Sequence, residues 1–356
     1  LKLSGLHVYP GLIDSGTMLG LVEIRKVVET HDHNESGEIQ PDLRTVTAAN
    51  ADSELIPVAR AGGITTALIR PSTGIIAGQA GVIQLAGWTA PEMVLEPQAG
   101  LQLHWPMGKN ATEERTQLNN FIEQAQRYLE ANERARSNDA PELIRDPRLL
   151  EMKRYLAGER PVLIEANSEK GIIQSLNFCE KHGLRPIITG GADAWKVVDE
   201  LHRRDVPVIV GPVMQSPTER EDPHDAPYAN PGRLHAAGVR FCIRSDDTSN
   251  SRNVPFEAAM AVAFGLPEEV AVRAVTLSAA EILGLADELG SLTVGKRADF
   301  IVADGSPLQI TSQNKLTVIA GRPFRPESRQ TKFYERYARR LESIQEERDE
   351  QQGRSD

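Results

Sequence analysis

Cysteine is scarce in this chain. There are two in 356 residues, Cys179 and Cys242, far apart and each in an apolar stretch. They form no CxxC pair, zinc-finger spacing or disulfide framework, and both read as buried thiols. A basic excess is missing too: 40 Lys and Arg stand against 50 Asp and Glu, a formal charge of −10. That argues against a nucleic-acid surface as the main function, because phosphate contacts need clustered cations. No apolar run is long enough to cross a membrane, and no basic n-region with an apolar h-region opens the chain. A cytoplasmic protein and an extracytoplasmic one with its signal removed would both look like this. No GxGxxG, GxxxxGK[ST] or GxSxG motif occurs, so the usual signatures of nucleotide binding and of a serine-hydrolase elbow are missing. What is present is the composition of a soluble globular protein, 40% hydrophobic and 25% charged. The length allows two domains, or one α/β barrel with an appendage.

Short, β-branched-rich apolar runs recur at Val8–Asp14, Ile64–Arg70, Pro161–Ala166, Pro186–Thr189, Val206–Gly211 and Val239–Ser245. Helix-like stretches lie between them, such as Gly171–His182 and Ala194–Arg203. Strand–helix–strand repetition with short connections predicts a parallel sheet with right-handed crossovers. A (β/α)8 barrel fits best and an open doubly wound sheet is the alternative. Two amphipathic segments interrupt the pattern: an inserted helix over Ala111–Asn138 and a charged tail over 325–356. In the tail, Phe333, Tyr337, Leu341 and Ile344 form one stripe. The tail reads as a helix packed on the body or on a neighbouring subunit, fraying past Glu346, so a homo-oligomer is expected. Gly290–Gly321 reads as a small β-unit with Gly and Pro turns.

Several of these segments resemble the metal-dependent amidohydrolase superfamily. LHVYPGLIDSGTMLG is similar to its first barrel strand, AGGITTALIRP to its second and RFCIRSDD to its last. AVTLSAAEILGLADELGSLTVGKRADFIVADGSPL resembles its C-terminal hallmark. The stretches around 161–201 and 253–276 resemble the imidazolonepropionase-like branch. The similarity runs from His7 to Phe324. It implies a distorted TIM barrel over 8–288, with the inserted helix 111–138, and a small β-sandwich from 1–7 and 289–324. Because the chain opens almost at the first barrel strand, that sandwich is expected to be incomplete on its N-terminal side.

The resemblance also implies hydrolysis of C–N bonds through a divalent ion such as zinc, which activates water and polarises a carbonyl. An H-x-H on a strand supplies two ligands because residues i and i+2 point to one face. Here those two positions are Gly16 and Met18. The next family histidine aligns with Glu165, either an oxygen ligand or a plain polar substitution. The one after it aligns with Thr189 or Gly190. Only the Asp of the final strand survives, Asp246, so the expected metal centre is degenerate. His31 and His33, with Glu35 nearby, are the weak alternative for a relocated site; they follow the helix-like stretch LVEIRKVVE and are expected to lie away from the first strand's end. His104 and His224 fall in Pro-containing loops and are weak pocket candidates.

Asp246 is the candidate catalytic residue, a general base for water, unless backbone N–H groups satisfy it. Arg70 and Arg244 either bind a carboxylate-bearing ligand or pair with neighbouring acids. Gly78 and Gln79, in the stretch TGIIAGQAGVIQL that resembles the family's Gly-Gln segment beside the active end, and Asn167 complete the candidate ligand contacts. Two functions follow: a C–N hydrolase acting on a small-molecule substrate, or a non-catalytic ligand-binding or assembly protein on the same barrel.

Overall fold

The computed structural model describes residues 3–137 and 144–353. Strand β1 (His7–Pro10) precedes an eight-stranded sheet that follows chain order. Its strands are β2 (Leu12–Thr17), β3 (Ile64–Ile69), β4 (Ile76–Gln84), β5 (Val94–His104), β6 (Val162–Ala166), β7 (Pro186–Gly190), β8 (Val208–Val210) and β9 (Phe241–Ile243). The helices are α1 (Leu55–Ala61), α2 (Ala90–Met93), α3 (Ala111–Ser137), α4 (Pro147–Leu156), α5 (Glu169–His182), α6 (Val198–Arg203), α7 (Ala226–Ala236), α8 (Val254–Ala263), α9 (Glu268–Ala274), α10 (Leu277–Ile282) and α11 (Arg329–Gly353). The expected architecture, a distorted barrel with a small β-unit, is what the structure shows.

Alternation along the strands sorts their side chains. Ile13, Leu68, Leu163, Ile187, Ile209 and Cys242 form one cluster that fills the barrel interior. Their neighbours Leu12, Ile69, Ile164, Ile188, Val208 and Ile243 belong to a second cluster, packed under the helices with Ile172, Leu176 and Leu201. The helices carry the expected signals. Ser168 caps α5 by accepting from Gly171 N at 3.2 Å, and Gly183 ends it in the left-handed region at φ 68°.

Four readings of the sequence are corrected. The sheet is not uniformly parallel, since β4 pairs antiparallel with both β3 and β5. Only residues 70–75 join β3 to β4, too few for a crossover, so a hairpin is the available solution. Val8–Asp14 is not one strand. It breaks at Gly11, where a Cβ would lie 2.2 Å from Thr65 Oγ1, and β1 peels away into a second sheet. That second sheet is β1, β10 (Phe300–Ala303), β11 (Asn314–Ile319) and β12 (Arg322–Phe324), antiparallel throughout. The segment after β2 is a loop with one 3-10 turn at Val28–Thr30, not a helix, because Glu23 N and Ile24 N bond to Thr30 and Val22 bridges His31. Finally, α11 continues to Gly353 where fraying past Glu346 was expected, and its apolar stripe is exposed, so of the two expected seats the body is not the one that covers it. The inserted helix is α3; Asn138, expected to end it, lies outside the described residues.

The sheet closes nearly but not fully. Across the seam between β2 and β9 the strands are joined by Asp246 N to Gly16 O at 3.0 Å and by the Asp14 carboxylate, which accepts from Ser245 N at 3.0 Å and Ser245 Oγ at 2.5 Å.

Candidate functional site

The interior rows that fill the barrel continue, two residues on, into charge. Beyond Leu68 comes Arg70, beyond Leu163 comes Glu165, beyond Ile187 comes Thr189 and beyond Cys242 comes Arg244. These lie at the C-terminal ends of parallel strands, where barrel proteins hold their chemistry. Arg244 reaches Glu165 with both terminal nitrogens, Nη1 to Oε2 at 2.8 Å and Nη2 to Oε1 at 2.7 Å, and its Nε donates to Gly211 O at 3.0 Å. Thr189 Oγ1 donates to Glu165 Oε2 at 2.9 Å, and Asn167 Nδ2 lies 3.4 Å from Oε1. Arg70 holds Asp246 by a short ion pair and stands 3.8 Å from Glu165; Arg244 Nη2 is 3.3 Å from Asp246. Two guanidiniums and two carboxylates thus form a closed quartet across the mouth.

Glycines make room for it. A Cβ on Gly16 would sit 2.8 Å from Arg244 Cδ, so the space left by the missing side chain at Gly16 is the space the arginine occupies. At Gly190, φ is 81° and a Cβ would approach Asn167 Oδ1 to 2.3 Å and Glu165 Oε1 to 2.6 Å. Burial alone would raise the Glu165 carboxyl, but Arg244 and Arg70 outweigh it and hold the group far below the usual carboxylate range. Burial likewise disfavours the Arg244 cation, and Glu165 and Asp246 reverse that to raise its pKa.

Two buried carboxyls lie behind the quartet. Asp14 is fully buried; burial pushes its pKa up to about 6, against the bonds from Ser245, Ser251 Oγ at 2.6 Å and Gly16 N at 3.3 Å. Glu257 on α8 accepts from Val213 N at 2.6 Å and Met214 N at 2.7 Å, and burial pushes it up to about 7. Neither was singled out from the sequence. An isolated acid inside an apolar strand, as in GLIDSG, was the available signal for Asp14.

The candidate residues separate. Gly16, Glu165, Thr189, Asn167, Arg70, Arg244 and Asp246 come together. Asp246 follows β9 with φ 54°, a left-handed conformation that Asp tolerates better than most residues. Arg244 is 1% exposed and Arg70 is 5% exposed, so both serve as internal partners of acids and are closed to an incoming carboxylate. Met18 packs against the outer apolar cluster and is not part of the quartet. Gly78 and Gln79 lie elsewhere: Gly78 is covered by Leu43, and buried Gln79 is bonded to Pro41 O at 2.7 Å, Gln98 at 2.8 Å and Glu151 at 3.2 Å. His104, expected in a loop, is the last residue of β5. Its Nδ1 is 2.8 Å from Gly74 O, and burial, with both arginines nearby, lowers its pKa.

His31 and His33 have ring centroids 5.4 Å apart, but His31 Nε2 is bonded to Ile24 O at 3.1 Å and His33 Nδ1 to Ser72 Oγ at 2.5 Å. The Ser72 contact brings this loop back to the turn after β3, closer to the strand ends than the sequence suggested. The divalent ion that the fold implies does not fit these residues. Gly16 offers no donor, both Glu165 oxygens are bonded to Arg244, and Asp246 is paired with two cations. Among the described residues no group of three His, Cys, Asp or Glu is placed to hold a metal.

Fold and mouth together define a distorted TIM-type barrel whose strand-end mouth is closed by charge pairs. Residues 187–330 match the model of the amidohydrolase family. Over 78 residues the chain is 35% identical to the amidohydrolase tasK of Hapsidospora irregularis; the match covers 22% of this chain and only 8% of that protein's length. An amidohydrolase structure from Thermotoga maritima MSB8 superposes with a TM-score of 0.82 at 24% identity, covering 91% of this chain and 89% of that one. A prolidase complexed with N-methylphosphonate-L-proline superposes with a TM-score of 0.52 at 16% identity, covering 92% and 89%. The chain therefore shares the barrel fold of these structures, and its segment 187–330 is similar in sequence to the amidohydrolase family.

Proposed function

We propose that this chain is a non-hydrolytic member of the amidohydrolase class that binds or assembles, with the metal-dependent chemistry replaced by an internal ion cluster. The observation that carries this reading is the bidentate Arg244–Glu165 pair lying in the space beside Gly16. A guanidinium supplies fixed positive charge and hydrogen bonds, but it cannot take a water into its coordination sphere and lower that water's pKa as a metal does. Asp246 is the remaining acid at the end of the last strand, and its two oxygens are engaged by Arg70 and Arg244.

A polar groove of about 1410 Å³ between loop 36–47 and α3, with Gln40, Arg44, Lys109, Asn120 and Arg148 among its walls, offers a surface for a polar small molecule outside the mouth. Metal analysis of protein purified without chelator, together with a hydrolysis assay, tests the reading. Cyclic amides belong in the panel because of the imidazolonepropionase-like segments, and Xaa-Pro dipeptides because of the prolidase likeness. The expected result is substoichiometric metal and no turnover with added zinc or manganese. Near-stoichiometric metal with turnover abolished by Asp246→Asn would return the chain to the hydrolases.

A further inference from the structure

Helix α11 is 25 residues long, and Phe333, Tyr334, Tyr337, Leu341 and Ile344 recur along one face at three- and four-residue spacing. These side chains are between 37% and 75% exposed. Such an exposed stripe marks an interaction surface. The charges of the same helix say what covers it. In 329–340 five of the six charged residues are basic, and in 341–353 five of the six are acidic, giving halves of +4 and −4.

This order is the reverse of what would stabilise a lone helix, whose N-terminus favours acids and whose C-terminus favours bases. The segregation therefore finds no explanation within one helix. A second helix of the same sequence, laid antiparallel, sets each basic half against an acidic half and opposes the two macrodipoles. A parallel partner would set like against like. An antiparallel pair of identical helices is related by a two-fold axis, and such an isologous contact closes on itself as a dimer.

We propose that α11 is a dimerisation helix, seated antiparallel on α11 of a second copy of this chain. Sedimentation equilibrium of the full chain is expected to show a dimer. Between about 0.1 M and 1 M salt, as the Debye length falls from about 10 Å to about 3 Å, its dissociation constant should rise on the order of tenfold. A chain that stays monomeric, or a dimer indifferent to salt, overturns the proposal.

Tyr337→Glu with Leu341→Glu is expected to give a monomer whose barrel melts unchanged, since both positions lie outside the core. Persistence of the dimer overturns it. Reversing the basic half (Arg336→Glu, Arg339→Glu, Arg340→Glu) in one sample and the acidic half (Glu342→Lys, Glu346→Lys, Glu347→Lys) in another should leave each monomeric alone and yield a one-to-one heterodimer on mixing. Dimers of either variant by itself would sink the charge argument. Spin labels on Gln330→Cys report orientation: widely separated partner labels are expected, and adjacent labels, the parallel arrangement, would overturn it.

Discussion

The two oxygens of Glu165 meet the two terminal nitrogens of Arg244 at 2.7 and 2.8 Å, at the level in the barrel where the amidohydrolase resemblance implies a metal. The pair joins β6 to the end of β9 across the lumen. The Arg244 side chain is 1% exposed, so the interaction is screened little by solvent.

Breaking this pair from one side is costly because it strands a charge. Arg244→Met is expected to destabilise the protein by about 3–5 kcal/mol, measured by urea unfolding, since the Glu165 carboxylate loses both of its main donors. Adding Glu165→Leu in the same chain should recover most of that loss. If the double variant is as unstable as the single one, the cost arises from lost packing and not from the unpaired charge.

Gly16→Ala tests the space beside the pair. The new methyl would lie 2.8 Å from Arg244 Cδ, so the expected cost is about 1–3 kcal/mol, typical of overpacking. The same substitution in an Arg244→Ala background should cost almost nothing. That non-additivity, read in a double-mutant cycle, distinguishes a clash with Arg244 from a backbone effect of alanine.

Much of this was legible beforehand, and the limits have physical reasons. The barrel could be read because buried parallel strands leave apolar runs at regular separations, and the absence of imidazoles at Gly16, Met18, Glu165 and Thr189 or Gly190, the positions that the resemblance aligns with ligands, could be read position by position. The replacement could not. That Arg244 lies across Gly16 depends on two strands more than 200 residues apart in sequence meeting at the seam. Gln79 sat in a stretch resembling an active-end loop, yet in the structure β4 runs antiparallel and its amide is tied to Pro41 and Gln98. A hairpin and a crossover look alike in local apolar pattern. The exposure of the α11 stripe was hidden for a similar reason: spacing reveals an apolar face but not what lies opposite it.

The buried carboxyls set opposing pH dependences. Asp14 moves from 3.8 to about 6 on folding, and Glu257 from 4.5 to about 7. With a raised folded pKa the native state holds its proton more tightly than the unfolded chain. These groups therefore lose stabilisation as pH rises from about 4 towards 7, each with a limiting slope of about 1.4 kcal/mol per pH unit. Glu165 has the opposite sign: its contribution is fully present above the ordinary carboxylate range and is lost progressively as pH falls from that range downward. Urea midpoints measured across this range should fall towards neutral pH, and Asp14→Asn should flatten the lower part of the decline. A rising trend would contradict the burial assigned to these acids.

Cys179 and Cys242 are buried, and burial pushes each thiol up to about 12. Thiolate is the reactive form, so neither should react with a thiol-specific disulfide reagent in the native protein, while both should titrate in denaturant. Native-state labelling at the rate of a free thiol would place one of them outside the core.

If the guanidinium is what excludes a cation, removing it should matter more than adding imidazoles. Gly16→His with Met18→His restores the H-x-H spacing, but Arg244 still holds Glu165 by two bonds and approaches Asp246 at 3.3 Å. This variant is expected to bind no stoichiometric zinc after gel filtration, and the crowding at position 16 should lower its melting temperature. Adding Arg244→Ala removes the clash and frees the Glu165 carboxylate, while Arg70 still holds Asp246; two nitrogen donors and the Glu165 carboxylate are a set that suits zinc. The triple variant should then retain about one zinc per chain and melt higher when zinc is added, because binding to the native state alone stabilises it. Zinc held by the variant that keeps Arg244 would mean that the ion cluster is no barrier to a metal, and the reading of this mouth as charge-locked would fail with it.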